Sequence, residues 1–325
     1  MAGTALNLNG GSLTAIEILS SIAPASCKRN AAQFPAAHWN LQFENFDIAH
    51  AKAAAEILRS RGYRAIGARQ VSDTISVIFV RTGKEGLESI GVSVPLCSAT
   101  DILLRCPRSL FLAIFGPDGV GKSSISSAAA SLLGPFFDHQ RTVCWRPQLI
   151  SSRIAKEPHE FKLPHNAPMY GAVRSTIKLT GVYADFLLDH LTLTRNQLRG
   201  CSLISWDRYF HDLFVDKRRY RYSGPEWYSD LLLRSLPVPK QFLGIVLDAD
   251  ENIILSRKQE LPMDELRRQR LAYRKLAGML PETHIVRNDG KFECCLQRVL
   301  SLVIARMAGE FEPVASKLLG CVSVS

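Results

Sequence analysis

Eight cysteines occur without a single C-x-x-C pair, no apolar run approaches the roughly 18–20 residues that cross a bilayer, and no repeat or low-complexity tract is present. Each absence excludes something. Without paired-ligand spacing no zinc site is expected. Cysteine flanks such as TVCWRP and GCSLISW predict reduced, packed thiols, as in a cytoplasmic protein. The opening MAGTALNLNGGSLTAIEILSS has neither a basic flank nor a long apolar centre, so no signal peptide is expected. The eight histidines are scattered, and none stands at recognisable spacing from a nucleophile. His211, near Asp207, is expected to pack or to face water. Hydrophobic residues at 46% and charged residues at 22% leave a globular chain, long enough at 325 residues for one large domain or two ordinary ones.

What the chain does have is positive charge, unevenly placed. Residues 1–105 hold 10 Lys+Arg and 8 Asp+Glu, whereas residues 106–308 hold 29 and 20. The excess of a net +10 chain therefore sits in one segment, where a basic field would steer a polyanion into a cleft. That same segment contains LAIFGPDGVGKSSISS over 112–127.

The spacing Gly116-x-x-x-x-Gly121-Lys122-Ser123 matches a phosphate-binding loop. Leu110 to Phe115 is wholly apolar and reads as a buried parallel strand; Ser123 to Leu133 reads as the following helix. Strand, glycine loop and helix point backbone N–H groups and a helix N-terminus at an anion. Gly116, Pro117, Asp118, Gly119, Val120, Gly121, Lys122, Ser123 and Ser124 are the candidate ATP-binding residues. Lys122 would bring a mobile charge to the β- and γ-phosphates, and the Ser123 hydroxyl would ligate Mg²⁺.

From about residue 106 onward, apolar runs at 109–116, 142–147, 201–207, 241–250 and 283–289 alternate with helical stretches at 122–133, about 170–199, 226–234, 251–276 and 292–308. That alternation predicts a doubly wound α/β domain with a mostly parallel sheet. Residues 1–105 differ. Helices are expected at 12–22 and 47–61, and strands at 74–81 and 89–96, making a small α+β domain without a chemical signature. Residues 309–325 are expected to form a C-terminal tail.

SLISWDRYFHDL places Asp207-Arg208-Tyr209 where an apolar strand ends, at the rim of the sheet beside the loop. Arg208 offers a planar fork matched to phosphate, and Asp207 can hold Arg208, a Mg²⁺-bound water, or both. With this triplet the region 108–308 resembles the thymidylate kinases of the P-loop nucleoside monophosphate kinase group. The loop GPDGVGKSS, the DRY triplet, IVLDADENIILSRKQ at 245–259, LRRQRLAYRKLA at 266–277 and HIVRND follow in the family's order and spacing. The run from DRY to KRRYRY and the RKQELP segment also resemble thymidylate-kinase-like proteins among bacterial surface-polysaccharide functions.

The resemblance implies a five-stranded sheet of order 2-3-1-4-5, with ATP and Mg²⁺ as cofactors. It also implies roles for residues. Asp118 would approach the acceptor's sugar hydroxyl and the transferring phosphate. Arg208, with Tyr209 beside it and Arg146 assisting, would clamp the acceptor's phosphate. Arg257, with Arg268 or Arg270, would come from a lid that also carries Lys258 and Arg267. Backbone around Asn288 would lie near adenine, and Ser123 with Asp207 would serve the metal. A homodimer is compatible with the resemblance. The chain departs from the family where thymine is read: Phe186 stands at the arginine position and Val182 at the phenylalanine position. Phe186 or Tyr183 would then offer stacking on a base in place of a hydrogen bond. The lid is short, with KQELPMDEL between Arg257 and Arg267. Lys217, Arg218, Arg219 and Arg221, interleaved with Tyr220 and Tyr222, read either as a solvated helix end or as a grip on an acidic acceptor.

Three readings follow. The first is phosphoryl transfer from ATP to a nucleoside monophosphate, dTMP leading. The second is transfer to another phosphorylated or hydroxylated acceptor in glycan assembly. The third is an ATP-binding regulatory module with little transfer. Nucleic acid is a poor fit, since no recognition helix or aromatic sheet motif is evident.

Overall fold

The computed structural model describes residues 25–29, 38–43, 48–71, 74–83, 86–95, 109–144, 168–258 and 261–320. The chain divides into two compact units, 1–106 with 301–325, and 107–300.

In the first unit β1 (Ala25–Arg29), β2 (His38–Phe43), β3 (Arg64–Val71), β4 (Thr74–Gly83) and β5 (Gly86–Pro95) form one sheet in the order β1-β2-β5-β4-β3. Only β2 and β5 run parallel; the remaining pairs are antiparallel. Helix α1 (Ile48–Ser60) lays Ala51, Ala54, Ala55 and Leu58 into the core at helical spacing, beside Tyr63, Ile75, Val77, Phe79, Ile90 and Val92. The strands expected at 74–81 and 89–96 are present, but β1, β2 and β3 were not foreseen. RAIGARQV is broken by charge and glycine, so its pairing with β4 decides its state. The helix expected at 12–22 lies outside the described residues.

The second unit contains β6 (Leu110–Phe115), α2 (Lys122–Leu133), β7 (His139–Cys144), α3 (Ala172–Asp189), β8 (Ser202–Asp207), the short α4 (Asp212–Val215) and α5 (Glu226–Ser235). It continues through β9 (Phe242–Asp248), α6 (Glu251–Arg257), α7 (Met263–Met279), β10 (Thr283–Arg287) and the start of α8 (Phe292–Gly320). All four strand pairings are parallel, in the order β7-β8-β6-β9-β10. Numbered within this sheet the order is 2-3-1-4-5, the expected P-loop kinase-like arrangement. The central strands β6 and β9 are buried at every residue, as a sheet covered on both faces requires. The edge strands β7 and β10 carry the polar residues.

Two helices differ from expectation. The stretch 251–276 is two helices, because Pro262 adopts an extended conformation and has no N–H with which to continue α6. The helix expected at 292–308 runs on to Gly320, and its second half is not a tail. Phe311, Ala315, Leu318 and Leu319 fall at helical spacing and are buried in the core of the first unit. Among the described cysteines Cys201 and Cys295 are buried, but Cys144 and Cys294 are exposed, which corrects the expectation of packed thiols at those two. No helix among the described residues is long and apolar enough to cross a membrane.

Leu318 is 1% exposed, so Leu318→Ala should destabilise the first unit by about 2–5 kcal/mol, read as a lower urea midpoint at an unchanged slope.

Candidate active site

The site begins with strand register. Ile114 of β6 is paired with Asp207 of β8, so the aspartate ends its strand one residue before β6 ends and close to where the glycine loop begins. Chain turning then requires glycine. Gly116 has φ 141, and a Cβ there would lie 2.5 Å from the Leu247 carbonyl oxygen of β9. Gly119 has φ 84 and lies against the end of α6, where a Cβ would meet the Lys258 Cβ at 3.1 Å.

Lys122 folds back over this turn. Its buried ammonium donates to the carbonyls of Gly116 at 2.7 Å and Pro117 at 2.8 Å, with Asp118 Oδ1 at 3.5 Å. Burial, with Arg208 nearby, lowers its pKa to about 8, against the pull of Asp118, Asp212 and Asp207. The Asn288 side chain is also buried, and its Nδ2 donates to the Val120 carbonyl at 2.8 Å. Asn288 therefore braces the loop with its side chain, a role the expectation of an adenine-facing backbone did not include.

Ser123 Oγ donates to Asp207 Oδ2 at 2.8 Å, while Asp207 Oδ1 is buried and has no hydrogen-bond partner. A hydroxyl oxygen and a carboxylate with an unused oxygen are hard donors, which fits Mg²⁺.

Arg208 crosses to the loop. Its Nη2 donates to Asp118 Oδ1, and its Nη1 donates to Asp212 Oδ2 at 2.9 Å. Its backbone takes φ 68, a left-handed conformation that a non-glycine residue holds only when its surroundings compel it. Asp212 is fully buried and also accepts from Tyr273 and Tyr220. Arg219 Nη1 donates to the second oxygen of Asp118. Burial alone would raise the Asp118 carboxyl, but Lys122, Arg208, Arg219 and Lys258 hold it far below the carboxylate range. The Arg208 guanidinium, desolvated yet faced by Asp212 and Asp118, is held well above its ordinary value.

The other expected residues are placed differently. Phe186 and Tyr209 are each 3% exposed and sit in the aromatic core with Phe111, Trp206 and Phe210. Phe186 lies 5.2 Å from Trp206 and 5.4 Å from Tyr209, ring centre to ring centre, so its ring is spent on packing. The expectation that Phe186 and Tyr209 line the acceptor site is corrected: both are core residues, as is Val182. Tyr183 packs edge-on against Phe210, and its hydroxyl accepts from Ser235 Oγ at 3.0 Å, which makes it a helix-packing residue. His211 is buried and neutral, its pKa pushed down to about 3 by desolvation.

The lid arginines also separate. Arg270 is buried against Asp248 at 2.7 Å and also pairs with Glu251, while Arg274 and Arg287 reach the same Asp248. Arg270 thus ties α7 to the end of β9, and its expected reach to phosphate is corrected. Arg268 is held by Glu265 and by the Val215 carbonyl. Arg257 and Lys258 are exposed at the end of α6, and Arg267 is exposed on α7. Arg146 lies outside the described residues.

Sequence reasoning passed over Asp212 and the Asn288 side chain. FHDLF offers no spacing signal for a buried carboxylate hub, and Asn288 acts only through contacts made by distant strands. Arg219 did carry a signal, as one of the cations in KRRYRY.

No protein-family model matches the chain, and no curated protein does. Among solved structures, thymidylate kinase from Ehrlichia chaffeensis is similar over 60% of this chain and 98% of its own, at 15% identity and a TM-score of 0.43.

The pKa of Lys122 gives a pH expectation. The ammonium, the form able to grip an anion, is present below about pH 8 and lost above it. MgADP affinity should therefore fall as pH rises through about 8, by at most about tenfold per pH unit for one coupled proton. Calorimetric titrations on either side of that value check it, and a flat profile would contradict it.

Proposed function

We propose that the second unit transfers the terminal phosphoryl group of ATP to a phosphorylated small molecule, a nucleoside monophosphate, with dTMP the leading acceptor. One observation carries this reading: Arg208, at the end of β8, meets the glycine loop at Asp118, beside Lys122 and the Ser123–Asp207 pair. A donor's polyphosphate on the loop would then face an acceptor's phosphate on the guanidinium.

The chemistry suits the groups present. An oxygen of the acceptor phosphate attacks the γ-phosphorus, the new P–O bond forms, and the bond to the β–γ bridging oxygen breaks, releasing ADP. The attacking phosphate oxygen is already ionised near neutral pH, so no general base is needed. The protein's task is alignment and charge stabilisation. Lys122 would leave the Gly116 and Pro117 carbonyls for the β- and γ-phosphates. Arg208 would orient the acceptor. Ser123 and Asp207 would hold Mg²⁺, which supplies charge neutralisation on the phosphates. Lys258, beside Gly119, and exposed Arg257 stand at the end of α6, from which a short lid would close.

A second reading, transfer to a sugar phosphate of glycan assembly, is favoured by the burial of Phe186 and Val182. With these residues in the core, α3 offers no base-reading group at the positions where the resemblance would put one. Loss of a built hydrogen bond to a base relaxes discrimination strongly.

The test is ADP release, coupled to a dehydrogenase, across dTMP, other nucleoside monophosphates and sugar phosphates. Turnover with a nucleoside monophosphate is expected; turnover with sugar phosphates alone would favour the second reading, and none with any acceptor would sink both. Lys122→Ala should lower kcat by about 100-fold or more, because transition-state charge loses its nearest cation.

A further inference from the structure

The turn at 216–222 brings to the loop a cation that neither the loop nor the sheet supplies. We propose that Arg219 is the second arm, with Arg208, of a two-guanidinium clamp for a phosphomonoester on the acceptor, and that Asp118 stands in for that anion until it arrives. The inference rests on the phosphoryl-transfer reading above and names the acceptor's recognised group.

Three observations carry it. First, the two guanidiniums divide one carboxylate: Arg208 takes Asp118 Oδ1 and Arg219 takes Oδ2. A phosphomonoester dianion presents three terminal oxygens to the same two forks and carries one more negative charge than the carboxylate it would replace. A neutral hydroxyl has no charge with which to take the carboxylate's place on two arginines, which favours a phosphate ester as the acceptor.

Second, the turn is built to hold Arg219 in place. The Arg219 backbone N–H donates to Asp216 Oδ1 at 3.0 Å, Tyr222 N–H donates to the Lys217 carbonyl at 3.0 Å, and the Tyr222 hydroxyl donates to the Pro225 carbonyl at 2.7 Å. The neighbouring Tyr220 hydroxyl donates to Asp212 Oδ2, the same oxygen that anchors Arg208. Asp212 thus anchors Arg208 directly and the Arg219 turn through Tyr220, and a clamp fixed beforehand loses less freedom on binding.

Third, cations converge on Asp118. Four cations, Lys122, Arg208, Arg219 and Lys258, act on Asp118, and Asp212 is the further carboxylate paired with Arg208. They crowd a carboxylate only 10% exposed, and a more highly charged anion there would meet cations already in place.

The test uses the full chain, with MgADP filling the loop so that added inorganic phosphate reports the acceptor side. In thermal unfolding, MgADP should raise the Tm of the wild type, and phosphate should add a second, saturable rise. Arg219→Ala should keep the MgADP shift while needing about 10- to 100-fold more phosphate for the second. Arg219→Lys should fall between the two. Asp118→Asn, which removes the competing charge, should lower the phosphate midpoint. An unchanged midpoint in Arg219→Ala, or no phosphate shift above MgADP in the wild type, would overturn the clamp and leave the ATP site standing. A wild type that shows no shift with MgADP would remove the reading of the site itself, and the clamp with it.

Discussion

Asp118 is a single carboxylate, mostly shielded from water, that two guanidiniums and an ammonium approach from three different chain segments. Burial opposes its charge, yet the charge persists because these cations surround it. The placement of the polar groups around the glycine loop follows from that arrangement. Lys122 must stay close to the glycine turn, Arg208 must leave its strand with a left-handed backbone, and the 216–222 turn must fold back toward the loop. An anion of higher charge entering the same place would find its partners already gathered.

Two buried carboxylates outside the loop make this possible, in different ways. Asp212, with no exposed surface, collects Arg208, Tyr220 and Tyr273 and so fixes Arg208 from behind. Asp248, at the end of β9, collects Arg270, Arg274 and Arg287 and ties α7 and β10 to the sheet. A buried carboxylate stripped of partners is costly, so these arginines are committed to structure. That is why a segment rich in arginine contributes few of them to the glycine loop. Lys258, which does lie beside Gly119, comes from the end of α6, ahead of the break at Pro262.

The aromatic core beneath the site has an equally direct consequence. Phe186 packs 5.2–5.4 Å from Trp206, Tyr209 and Phe210, and Trp206 lies 5.3 Å from Tyr209, filling the space between α3 and the sheet. Filling that space removes α3 from ligand recognition at Phe186 and Val182. Specificity in the second unit must then come from elements other than the buried face of α3. In the first unit the same economy appears at the end of α8, whose apolar residues Phe311, Ala315, Leu318 and Leu319 complete a core that α1 and the mixed sheet share.

Sequence by itself determined the parts that depend on local pattern. Apolar runs marked all five strands of the parallel sheet, and glycine spacing marked the loop. The Asp-Arg pair after SLISW marked the rim of the sheet, because a buried strand must end where charge begins. The tertiary structure decided everything that depends on partners far along the chain. Whether Phe186 faces a ligand or the core, whether Arg270 meets phosphate or Asp248, and whether Arg219 is a solvated cation or half of a grip on Asp118 are questions of competing partners. Side chains of one chemical type look alike in sequence; an arginine's role is fixed by the carboxylate that folding brings within reach, and that carboxylate lies 22 residues away for Arg270 and 101 for Arg219.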